Sequence, residues 1–114
     1  MIQIKGRDDV LSIENEDHRN AVLGSYDDLD MDCILDSGEG FCVYVKPGES
    51  FESAIAAMKA ETGESGFWRE PEEEPEELEG EIFSVFMQVN NSCSVTFYVP
   101  SDEWHRWSAE NLDE

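Results

Sequence analysis

Between Ile82 and Val99 the chain reads IFSVFMQVNNSCSVTFYV. Successive side chains of a strand point to opposite faces, so Phe83, Val85, Met87 and Val89 share one face. Cys93, Val95, Phe97 and Val99 share the facing one, and Asn90-Asn91-Ser92 supplies a turn. Pairing Val89 with Cys93 sets Met87 opposite Val95 and Val85 opposite Phe97, which keeps every step in register with one apolar face. The reading predicts a hairpin with Val85, Met87, Val95 and Phe97 buried. Ser84, Gln88, Ser94 and Thr96 then point away, with Ser84 and Thr96 more exposed.

Downstream, Ser101 follows Pro100 as a helix cap, with Asp102 and Glu103 in the first turn. Trp104 and Trp107 fall on one side of this short helix and are expected to pack on the sheet. Upstream, Glu70 to Glu81 reads EPEEEPEELEGE, eight Glu in twelve residues. Pro71 and Pro75 discourage a helix there and like charges extend the chain, so residues 69–81 read as an exposed loop or arm. Before it, Phe51, Ala54, Ile55 and Met58 fall at i, i+3, i+4 and i+7. This is the stripe of a helix over about 51–62, capped by Ser50 and closed near Gly63.

Two further segments read as extended. Leu29, Met31, Cys33 and Leu35 alternate with polar residues up to Asp36-Ser-Gly-Glu-Gly40, and Phe41, Val43 and Val45 alternate beyond it, the pattern of a second hairpin. Residues 10–24 fit two strands around Asn15–Asn20, or a strand and a short helix capped by Asn15. Ile2 and Ile4 suggest an opening strand. Together these elements predict one α+β domain over residues 1–114. Its core is an antiparallel sheet of four to six strands, with the 51–62 helix on its apolar face and a short C-terminal helix.

Charge narrows the function. Twenty-eight Asp and Glu against seven Lys and Arg give a formal charge of −21 over 114 residues. Such a chain repels nucleic acid and anionic lipid surfaces, and attracts basic proteins and cations. The longest apolar runs, Phe41 to Val45 and Ala54 to Met58, are too short for a signal peptide or a membrane span. Cys33, Cys42 and Cys93 form no CxxC pair, which suits a reducing cytoplasm.

Asp28, Asp30, Asp32, Asp36 and Glu39 match liganding positions of an EF-hand loop. Cys33, however, replaces its turn glycine, and Leu29 and Met31 are apolar where the loop is polar. His18 and His105 lie in no nucleophile motif, and no Walker loop, dinucleotide fingerprint or zinc spacing occurs. No catalytic residue, metal or cofactor is therefore expected. The expected partner-binding residues are Asp27, Asp28, Asp30, Asp32, Asp36 and Glu39, continued by Glu72, Glu73, Glu74, Glu76 and Glu77. On a strand, Asp28, Asp30 and Asp32 would present a row of charges spaced about 6.6–6.8 Å apart, similar to successive phosphates along a nucleic-acid strand.

In size and charge the sequence resembles phage-encoded acidic inhibitors, the DNA-mimic anti-restriction and anti-CRISPR proteins. The resemblance is carried by composition, with 28 acids spread over the chain and runs such as Asp27–Asp32 and Glu70–Glu81. It implies a protein that acts in the host cytoplasm and binds the basic groove of a nucleic-acid-handling enzyme without chemistry. An immunity protein against a basic nuclease toxin, or a binding domain adapted to high salt, fits the same acidity.

Overall fold

The computed structural model describes residues 1–38, 40–62, 75–90 and 93–111. In chain order they form β1 (Ile2–Ile4), α1 (Arg7–Leu11), α2 (Glu16–Asp28), α3 (Met31–Ser37), β2 (Gly40–Tyr44) and α4 (Phe51–Thr62). β3 (Glu76–Leu78), β4 (Ile82–Asn90), β5 (Cys93–Pro100) and α5 (Ser101–Asn111) follow. The fold is α+β, with one five-stranded sheet in the order β1-β2-β5-β4-β3. The sheet is antiparallel except at its centre, where β2 and β5 run parallel.

The β4–β5 hairpin has the register that alternation predicts, Val85 opposite Phe97 and Met87 opposite Val95. At the turn the pairing slips by one, so that Asn90 and not Val89 stands opposite Cys93. Val85, Met87, Val95 and Phe97 are buried. They meet α4 and α5, whose Phe51, Ala54, Met58, Trp104 and Trp107 complete this core. Phe51 sits edge-on to Phe97 at 5.1 Å and to Trp107 at 4.8 Å, while Trp104 stacks on Trp107 at 5.6 Å. Ser50 Oγ caps α4 by accepting the Ser53 N–H at 3.2 Å. The Glu103 carboxylate accepts the Phe51 N–H at 2.6 Å, which joins the start of α4 to α5.

The opposite face is also covered, which corrects the expectation of helices on one side. Val10, Ile13, Val22, Tyr26 and Met31 from α1–α3 pack on Ile4, Cys42, Tyr44, Ile82 and Tyr98. Strands buried on both faces carry continuous apolar runs. Cys42 to Val45 and Val95 to Val99 are such runs, every residue buried, and Thr96 is therefore buried where an exposed side chain was expected.

Of the two readings of residues 10–24, the helix capped by Asn15 is the one observed, as α2, while α1 ends at Leu11 where a strand was expected; residues 31–35, expected as strand, lie in helix α3. Asn15 caps α2, its side chain accepting the His18 N–H at 3.0 Å. The buried positions His18, Val22, Ser25 and Tyr26 then form one helical stripe. Leu29–Leu35 forms no hairpin strand because Asp30 adopts the left-handed conformation (φ 51, ψ 50) and starts α3. Met31 is buried and Leu35 half-buried one turn later, whereas Leu29 and Cys33 are exposed. The operative period is four residues, not two.

Of the expected arm, residues 69–74 lie outside the described residues, as does Gly63. Residues 76–78 are not loop but the edge strand β3, with Glu76 opposite Ser84. Among the described residues no helix is long and apolar enough to cross a membrane.

Candidate functional site

The acids divide unequally between the two faces of the sheet. Residues 5–38, which build the α1–α3 layer, carry ten carboxylates and three cations. Nine of the ten are exposed, Asp9 alone being half-buried. The α4 and α5 side (residues 46–62 and 101–111) has six carboxylates and three cations. There Arg106 holds Glu52 and Glu103 at 2.5 Å each and also pairs with Glu110. That guanidinium keeps the Glu52 and Glu103 carboxyls below the usual range.

The structure gathers five of the sequence-derived site residues at the α2–α3 corner. Asp27 and Asp28 end α2, Asp30 is the left-handed junction, and Asp32 and Asp36 lie on α3, all exposed. They form no straight row, because a helix end, a turn and a second helix present them in different directions. Asp27 pairs with Arg7 at 2.5 Å, and Asp32 accepts the Tyr26 hydroxyl. Glu76 and Glu77 stand apart on edge strand β3, both exposed. Glu76 shares the parity of Leu78, which packs on the second core, so it belongs to the α1–α3 face. Glu39, Glu72, Glu73 and Glu74 lie outside the described residues.

These two acidic regions are linked through the β3–β4 turn. Gly80 has φ +91, and a Cβ there would stand 2.7 Å from the Asp17 carbonyl oxygen. Glycine allows both the backbone angle and the approach. Glu79 and Glu81 are thereby held beside the first turn of α2, with Glu16 and Asp17.

Sequence reasoning missed His18. Its ring is 5% exposed, with Nδ1 2.7 Å from the Tyr44 hydroxyl. Burial lowers its pKa, opposed by a hydrogen bond to the Glu81 backbone and by the charge of Asp17. A neutral ring protonated on Nε2 accepts from Tyr44 and donates to Glu81. The Tyr44 phenol is itself pushed up to about 12 by burial. A polar residue inside an apolar stripe was the available signal. Beside it lies a groove of about 430 Å³ lined by Glu81, Ser101, Asp102 and His105. Ser101 Oγ is buried and without a hydrogen-bond partner. Both His18 hydrogen bonds tie elements of the fold together. The arrangement is a knot between α2, β2, the β3–β4 turn and α5.

Of the five acids that match EF-hand positions, the four described ones, Asp28, Asp30, Asp32 and Asp36, span the end of α2, the junction and α3, which is not a twelve-residue loop between helices. Among the described residues no three His, Cys, Asp or Glu side chains are placed to hold a metal ion. No protein-family model, curated protein or solved structure matches this chain.

Proposed function

We propose that this protein is an acidic inhibitor that occupies the basic nucleic-acid-binding surface of a defence complex or nuclease. It acts as a DNA mimic of the anti-restriction or anti-CRISPR type and performs no chemistry. The observation that carries this reading is the concentration of exposed carboxylates on the α1–α3 layer, nine exposed acids against three cations.

Their placement adds weight. Asp27 and Asp28 close α2 and Asp36 lies near the end of α3, and neither helix has a basic residue in its last turn. Acids at a helix C-terminus oppose the macrodipole, a cost of about 0.3–1 kcal/mol each at exposed sites. Selection for stability alone would remove them, whereas selection for a negative surface would keep them. A groove built to hold a phosphate backbone reads it mainly as charge, and accepts carboxylates fixed on a rigid layer in its place.

Displacement of nucleic acid tests the proposal. A fluorescent duplex is bound to each of a panel of purified restriction and RNA-guided nucleases, and the acidic protein is added while anisotropy is followed. The expected result is competitive release of the intact duplex from at least one enzyme. Simultaneous binding of duplex and acidic protein, or no release across the panel, would sink the mimic reading.

A further inference from the structure

Within the acidic face stands an apolar spot that electrostatics does not require. Phe86 lies mid-way along β4 and is 49% exposed. Its register partner Thr96 is paired in turn with Cys42 of the second core, so Phe86 projects on the α1–α3 side of the sheet. On the same side of the sheet, helix α3 packs on β2. A Cβ built on Gly40 would collide with Ile34 Cγ2 and lie 3.8 Å from Ser94 Oγ, so Ile34 covers the ends of β2 and β5. Ser94 is two residues from Thr96, which sets its Cα about 8 Å from that of Phe86, from strand spacing and rise. Ile34 is itself 36% exposed over these strand ends. Carboxylates share this face. Glu76 stands beside Ser84, one step along the same parity from Phe86, and exposed Asp30 and Asp36 lie at the two ends of α3.

We propose that Phe86 is the apolar anchor of this acidic face. Its partner is a basic, amphipathic protein surface that sets Arg or Lys side chains around an apolar contact. This deepens the inhibitor reading and rests on it. An aromatic at the centre of a charged rim is the usual anatomy of an interface that binds tightly, the rim steering and the anchor holding. Arg suits both parts, since its guanidinium stacks on an aromatic ring while pairing with carboxylates. Charge selects this occupant over others. A membrane or nucleic acid would be repelled, and a second copy would bring two chains of charge −21 face to face.

Two short synthetic peptides of equal charge serve as probes against the full chain, one alternating Arg with Gly and the other Arg with Leu. Affinities are read by anisotropy in dilute buffer and in about 0.5 M salt, where screening removes most of the charge contribution. The Arg–Gly peptide should bind wild type and Phe86→Ala alike and release in high salt. The Arg–Leu peptide should bind tighter, keep part of its affinity in high salt, and lose about tenfold or more with Phe86→Ala, the loss expected of a central anchor. Leu11→Ala, at a residue equally exposed on α1 (51%), should change neither. Thermal melts verify the fold, and Phe86→Thr, which suits a strand, replaces Phe86→Ala if the latter melts early. Equal binding of the Arg–Leu peptide by wild type and the folded variant overturns the anchor and leaves the inhibitor reading standing. If neither peptide binds in dilute buffer, both fall.

Discussion

His18 joins α2, β2 and the β3–β4 turn through a single neutral ring, and that makes its protonation state a condition of the fold. Burial is the main cause of its lowered pKa, and the carboxylates of Asp17, Asp102 and Glu81 only partly offset it. The folded value lies below the ordinary histidine value of about 6.5, so as pH falls the unfolded chain takes up the proton first. Stability from this residue is complete above about pH 6.5 and declines as pH falls below it. The carboxyls held low by cationic partners, Glu49, Glu52 and Glu103, act in the same direction but only at pH below the ordinary glutamate range. Urea unfolding at about pH 7.5 and 5.5 should therefore give a lower midpoint at the acidic pH. His18→Gln should flatten most of that difference while lowering stability at neutral pH. An unchanged pH slope in the variant would assign the effect elsewhere.

At the level of elements, the sequence is legible where burial is one-sided or continuous, and misleading where polar residues enter a core. The hairpin was readable because Val85, Met87, Val95 and Phe97 fill one face against α4 and α5. Phe97 is fully buried, and Phe97→Ala should cost about 3–5 kcal/mol by denaturant titration. A loss under about 1 kcal/mol would mean that this core collapses onto the cavity. Helix α2 stayed undecided between helix and strand because His18 and Ser25 occupy its apolar stripe, each bonded to a tyrosine of the sheet, Tyr44 and Tyr98. Those bonds are long-range, and no local pattern reveals them. Helix α3 escaped because Met31, Cys33 and Leu35 alternate by chance, while only Met31 and Leu35 turn inward. The acidic residues were visible as a set, but their grouping at the α2–α3 corner depends on the left-handed turn at Asp30. The apolar anchor was hidden for the converse reason. Alternation sends Phe86 to the face opposite Val85, and nothing in the sequence says that α1–α3 leave that spot uncovered.

For the molecule as a whole, salt should act on folding and on binding in opposite senses. The chain measures 33 × 32 × 22 Å and carries a charge of −21. The Debye length is about 30 Å at 0.01 M salt and about 3 Å at 1 M. In dilute buffer each carboxylate therefore feels nearly all the others, and in concentrated salt only its neighbours. Melting temperature should rise with sodium chloride and then level off, while displacement of nucleic acid from a basic enzyme should weaken over the same range. Removing charge by mutation should reproduce both trends at fixed low salt. Asp28, Asp30 and Asp36 suit the purpose because all are exposed, and Asn is tolerated at the left-handed position 30. The triple change to Asn relieves repulsion and two acid contacts with helix C-termini, so it should melt no lower than wild type and level off at lower salt. The same variant should displace nucleic acid several-fold less well, about 1 kcal/mol of lost attraction. Changing Glu76 and Glu77 to Gln on the edge strand should do less, since the corner holds the denser set of charges. A variant that gains stability yet inhibits at full strength would show that the corner only keeps the protein in solution. The contact would then have to rest on Phe86 with the remaining acids of its face.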